Sequence, residues 1–250
     1  MRKIVLLIAA AASIVSAQDG IYGSFLVGQK FVNFRDVNDT LKQRLGIVED
    51  LFPNNNWTFG GEGHLILAKR LVLGGKAFGI VHERVIPNPD PAAPQRRIRM
   101  TAGMGVGTVG FNLLGENRFG FHLYPQVGVG ASSLIYQSKR AFTEEQKQFD
   151  TVLVGTKDNI ETLGKFGLII DFAAGFDWYK PFKNFFTIVP GLDVGLLLHA
   201  EAGYSLLPGT LKWRRDFDLK GKDQVEGGPE LKFNGFYFNV GLGLGLSAKE

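Results

Sequence analysis

Three of the four histidines, His64, His122 and His199, fall on the same face of an alternating strand pattern as Glu62, Asp171, Asp177, Asp193, Lys76, Tyr124, Gln126 and Asn239. Imidazoles beside carboxylates can move protons, and carboxylates beside a lysine can pair with it or line a narrow cation path. Catalysis would also need a nucleophile within reach of a base. Ser132 and Ser133 have no histidine at a suggestive spacing, and no glycine-flanked nucleophile motif is present. Glu144, Glu145 and Glu161 read as solvated loop charge. The repeats Gly103 to Gly107 and Gly241 to Gly245 have period two, whereas a phosphate cradle needs a loop that opens a helix. The polar set therefore predicts a structural network rather than an active site, with no cofactor and no metal.

The elements that must position these residues are strands. From Phe236 to Ser247 the even positions Phe236, Phe238, Val240, Leu242, Leu244 and Leu246 are apolar, and the odd positions are polar or glycine. Period two gives a strand with two unlike faces. Seven earlier segments carry related patterns. They begin at Ile21, Trp57, Leu71, about Ile98, Phe119, Phe166 and Phe186, and the fourth sets Met104 and Val106 opposite Gly103, Gly105 and Gly107. A soluble sheet would have to bury one of these faces and wet the other. Here one face of strands five to eight is nearly unbroken Phe, Leu, Val and Ile, while the opposite face carries the charges, so lipid is the solvent the apolar face calls for.

The 250 residues contain 33 glycines and no cysteine, so no disulfide staples the fold. Arg2 and Lys3, the apolar run Ile4 to Ala12 and Val15-Ser16-Ala17 form a secretory leader, with cleavage expected after Ala17. The domain plan is a signal peptide over 1–17 and one barrel domain over 18–250. Removing the leader reduces the formal charge from +4 to +2, which carries no nucleic-acid signal. No later apolar run reaches the length of a membrane helix, so any spanning falls to strands, and strands in lipid must close on themselves.

Leader, eight two-faced strands, connections alternating long and short, aromatic strand ends and a glycine-alternating last strand together resemble the small eight-stranded outer-membrane β-barrel proteins of Gram-negative bacteria. The resemblance covers essentially the whole mature chain. It implies an all-β, eight-stranded antiparallel up-and-down transmembrane β-barrel with short periplasmic turns and four long extracellular loops. It implies an interfacial girdle of Trp57, Phe59, Phe119, Phe166, Trp178, Phe186, Phe236 and Phe238. Its partners would be outer-membrane lipid and lipopolysaccharide, the barrel-assembly machinery and an extracellular ligand of the loops, around a monomer. The implied role is structural or surface-interactive, with a narrow porin-like channel for small solutes or cations as the alternative and an outer-membrane lipid-modifying enzyme as a minor one. The chain departs from the pattern in ending Ser247-Ala248-Lys249-Glu250 instead of on an aromatic residue. It also places Pro125 and Pro190 inside expected strands, where bulges or lost pairing should follow.

Local details follow from the same patterns. Leu41, Leu45, Val48 and Phe52 predict a short helix within Asp36 to Phe52, with Thr40 and Gln43 as a capping box, packed over a barrel mouth. Pairing Leu67 with Leu71 places Glu62 opposite Lys76 as an ion pair. Pairing Trp178 with Phe186 places Asp171 opposite Asp193, two like charges near mid-membrane.

Overall fold

The computed structural model describes residues 18–45, 48–86, 96–115, 120–139, 160–182, 192–208, 213–215, 224–225, 228–229 and 233–248. The strands are β1 (Gln18–Phe31), β2 (Asn55–Leu67), β3 (Leu71–Ile86), β4 (Arg96–Phe111), β5 (Phe121–Lys139), β6 (Ile160–Pro181), β7 (Leu192–Leu206), the short β8 (Trp213–Arg215) and β9 (Gln224–Val225), and β10 (Gly235–Ala248); the helix α1 spans Arg35–Leu45. Each long strand pairs antiparallel with its neighbours in the chain, and β10 bridges β7 and β1, for example through Ile21↔Leu246 and Val27↔Val240. The eight long strands thus form a closed up-and-down barrel. β8 extends one wall by pairing with β6 at Leu163↔Arg215, and β9 pairs with β8.

The outer wall is apolar. Phe25, Trp57 and Phe236 are 60%, 60% and 68% exposed, and Phe59, Val109, Val129, Leu168, Phe238, Leu242 and Leu244 also face outward in the open. Of the expected girdle, Trp57, Phe59, Phe236 and Phe238 are exposed, and Phe166 and Trp178 are half-buried on the same outward parity. Phe119 and Phe186 lie outside the described residues.

Alternation correctly assigns the faces of β1, β2, β6 and β10, but β4 is reversed. Met100, Ala102, Met104 and Val106 point into the barrel, and Gly103, Gly105 and Gly107 point out. The cause is a second, apolar storey inside. Towards the end where β1 leads into β2, the lumen is filled by Phe34, Phe52, Phe78, Ile80, Ile98, Met100, Leu134 and Leu163. Here the rule that polar residues face inward fails. The outward glycines leave a trough of about 560 Å³ in the wall, flanked by Phe59 and Phe166 and floored by Ala77, Gly79, Gly103, Gly105 and Ala131.

α1 is shorter than expected and starts differently. Thr40 lies inside the helix, where its hydroxyl donates to the Asp36 carbonyl at 2.7 Å, so it is no cap. Asn33 accepts from the Arg35 amide at 3.0 Å at the true entry. Val37 and Leu41 are buried with Phe34 and Phe52, so α1 adds to the apolar storey.

The expected pairing of Leu67 with Leu71 stands across a tight turn at Ala68-Lys69-Arg70: Ala68 and Lys69 take φ of 47° and 62°, and the Arg70 amide donates to the Leu67 carbonyl at 3.1 Å. The expected match across the next turn pair does not. Trp178 faces Leu198, not Phe186, so β7 is offset from its expected place and runs on to Leu206. Pro125 causes no break with β6, where it faces Ala174, but pairing to β4 stops at Gln126, just short of it. Pro190 lies outside the described residues.

Glycines on the two faces do different work. A Cβ at Gly243 would sit 2.6 Å from Ser24 Cα across the closing seam, whereas one at Gly107 meets nothing within 4 Å. Gly243→Val should therefore destabilise the refolded barrel by about 1–3 kcal/mol or block closure. Gly107→Val should be neutral or stabilising by about 0.5–1 kcal/mol. Urea unfolding followed by tryptophan fluorescence in detergent checks both.

Candidate functional site: the luminal polar network

Below the apolar storey, inward positions of seven strands bring polar side chains together. Lys76 on β3 stands beside Glu62 in register, as expected, but does not pair with it. Its ammonium donates to Asp171 Oδ2 at 2.7 Å on β6, to Glu201 Oε2 at 2.5 Å on β7, and to the Tyr237 hydroxyl at 2.5 Å on β10. A four-carbon stem reaches further across a narrow bore than along the sheet, so the lysine ties three strands on the opposite wall. Tyr237 in turn donates to Asp171 Oδ2 at 2.8 Å, Gln126 to Glu201 Oε2 at 2.5 Å and Thr58 to Asn239 Oδ1 at 3.1 Å. Nearby, Lys30 donates to Ser205 at 2.5 Å and lies 4.8 Å from the centre of the Phe233 ring.

Glu62 finds its partners elsewhere. It accepts from Ser24 at 3.1 Å and lies 2.9 Å from His199 Nδ1. His199 also faces Asp177 across the β6–β7 ladder at 2.7 Å, and His64 reaches Asp177 at 2.8 Å. Tyr124 donates to Asp177 at 3.2 Å. Asp171, Asp177 and Asn239 have no exposed surface, and Glu201 is 1% exposed.

Of the residues expected to face the lumen, Glu62, His64, Lys76, Tyr124, Gln126, Asp171, Asp177, His199 and Asn239 meet in this network. Two stand apart at the turn end. His122 Nδ1 lies 3.2 Å from Asn112 Nδ2, with its ring beside that of Tyr22. Asp193 pairs in register with Ser247, and its carbonyl accepts from the Tyr179 hydroxyl at 2.8 Å. Asp171 instead faces Ser205, so the expected pair of opposed carboxylates does not exist.

Sequence reasoning missed Lys30, Tyr237, Ser205 and above all Glu201, which follows the run of bulky apolar residues in its strand. The signal was present in parity: Glu201, Gly203 and Ser205 continue the inward set of His199, while Ala200, Ala202, Tyr204 and Leu206 continue the outward one. The outward alanines lack the bulk that marks the earlier part of the strand.

Removing the ammonium should be costly, because two fully buried carboxylates would lose their shared counter-charge. Lys76→Met is expected to destabilise the barrel by about 3–5 kcal/mol. A double-mutant cycle should show strong coupling of Lys76 to Glu201 and little to Glu62, measured by denaturant unfolding in detergent.

No protein-family model matches the sequence, and no curated protein matches it. Among solved structures, the chain is similar to Ail, the attachment invasion locus protein of Yersinia pestis, at 12% identity and a TM-score of 0.37 over 92% of this chain and 98% of that one. It is similar to the outer membrane protein OprG from Pseudomonas aeruginosa at 11% identity and 0.36, over 92% and 95%, and to Neisserial surface protein A at 6% and 0.33, over 93% and 97%. Likeness at this level goes no further than architecture, which the strand pairing establishes by itself: the chain is a closed eight-stranded antiparallel β-barrel.

Proposed function

We propose that the protein is an integral outer-membrane barrel whose role is structural and interactive, displaying its loops at the cell surface. One observation carries this reading. The outside of the closed barrel is a wall of exposed Phe, Val, Leu and Trp, and its inside holds buried lysines and carboxylates. In water this arrangement would expose a large apolar surface and bury charge. In a bilayer the outer wall meets lipid tails, and closure leaves no long strand with an unpaired edge. Outer-membrane lipid and lipopolysaccharide are then the partners of the wall, the assembly machinery is a partner during biogenesis, and the loops contact an external ligand.

Neither alternative draws support from the interior. Against conduction stands the Lys76 side chain, which crosses the bore to three opposite strands beneath a storey of Phe, Ile and Met side chains. Against catalysis stands burial. His199 and Asp177 are 3% and 0% exposed, so a substrate has no approach to them among the described residues.

Two measurements test the proposal. Membrane fractionation should recover the protein with the outer membrane, resistant to carbonate and urea, and recovery in the soluble periplasm would overturn the reading. Refolded protein in planar bilayers should be silent. Discrete conductance steps lost on Asp171→Asn would replace the structural role with a channel.

A further inference from the structure

The trough in the outer wall follows one strand. β4 presents Gly107, Gly105, Gly103, Thr101 and Arg99 outward in turn, and β5 sets Ala131 beside Gly105 and Ser133 beside Gly103. The trough of about 560 Å³ opens outward, and Phe59 and Phe166 form its sides. Phe59 pairs with Gly79 and Gly79 with Gly103, so Thr101 stands one outward step beyond the Phe59 row, the step that carries Trp57 on β2. Arg99 stands one step further, past the aromatic residues.

Three features of this sector call for a ligand that bare hydrocarbon does not supply. First, the column from Thr101 to Gly107 runs about 20 Å along the strand, which at a barrel tilt of about 40° is about 15 Å of depth. That is half of a hydrocarbon core about 30 Å thick, the depth of one leaflet's acyl chain. Gly107 adds room at the lower end, since a Cβ there would meet nothing within 4 Å. Second, Ser133 is a half-buried hydroxyl on an apolar wall, with no hydrogen-bond partner among the described residues. An atom at the Cβ position of Gly103 would lie 3.9 Å from that hydroxyl, which therefore borders the trough floor. In hydrocarbon it finds no water, so its acceptor has to come with the ligand. Third, Arg99 is exposed at the head of the column. Glu83 and Gln137 are its register neighbours, and its guanidinium bonds to neither. A free guanidinium is suited to hold a phosphate through two parallel hydrogen bonds.

We infer that the trough seats one phosphorylated, acylated glycolipid of the lipid A type. An acyl chain lies over Gly103, Gly105 and Gly107, the carbonyl at its head accepts from Ser133, and the phosphate meets Arg99. The seat presupposes a bilayer, so it rests on the membrane reading and adds a named lipid and a place for it. The leaflet selects the lipid: Arg99 lies at the end of the barrel away from Gln18 and Ala248, the end that this reading turns to the cell surface.

Native mass spectrometry of the full chain, refolded in detergent and mixed with lipid A carrying both phosphates, tests this. The wild-type barrel should retain one lipid A through detergent removal in the gas phase, and phosphatidylglycerol should not compete for it. Arg99→Ala should weaken retention roughly tenfold, the loss expected for a charged hydrogen-bonding pair. Ala131→Phe, which fills the trough from its outward side, should abolish retention, whereas Ala202→Phe, outward on the far wall, should not. If Ala131→Phe does not fold, Arg99→Glu, at an exposed position, takes its place and should abolish retention. No lipid on the folded wild type overturns the inference, as does equal retention by the Ala131 and Ala202 variants. Equal retention of phosphate-free lipid A or of phosphatidylglycerol also overturns it. A barrel that fractionates with the outer membrane but retains no lipid A sinks the seat alone, whereas recovery in the soluble periplasm removes the membrane reading with it.

Discussion

Closure is the constraint on which the rest depends. Under the proposed membrane reading, a strand in lipid cannot leave its amides and carbonyls unpaired, so the first and last of the eight long strands must pair, and β1 and β10 do so from Gly20↔Ser247 to Lys30↔Tyr237. A ring of eight strands is narrow, and its interior must be filled by whatever faces inward. The filling here is in two storeys: a polar one crossed by Lys76, and an apolar one reinforced by α1.

The two storeys explain what was and was not legible in the sequence. The proposed bilayer imposes one chemistry on every outward position, so strands with bulky apolar faces, such as β6 and β10, reveal their orientation directly. The lumen imposes no single chemistry. β4 passes through the apolar storey, where Met104 and Val106 belong inside and glycines suffice outside, and alternation alone cannot tell that arrangement from its inverse. Strand ends were less legible for a related reason. β7 ends in small outward residues, Ala200 and Ala202, so Glu201 lost the bulky neighbours that would have marked it as part of a span.

The candidate site was legible as a set and illegible as a network. Parity placed nine of the polar residues in one lumen, but pairing them along the sheet gave wrong partners. Register fixes which backbones are adjacent, whereas long side chains in a narrow bore choose partners across it. Lys76 lies beside Glu62 and bonds Asp171 and Glu201 instead. His64 and His199 stand far apart in the chain, and curvature of the wall brings both to the same Asp177.

The reach of Lys76 also bears on the order of assembly. Its ammonium sits on the third strand, while its acceptors arrive with the sixth, seventh and last. An unclosed sheet therefore carries a lysine and two acids that have lost water and not yet found one another, a state that is costly in an apolar surrounding. Charge neutralisation and ring closure become a single event, so the barrel is expected to form in one cooperative step, with no stable half-built sheet.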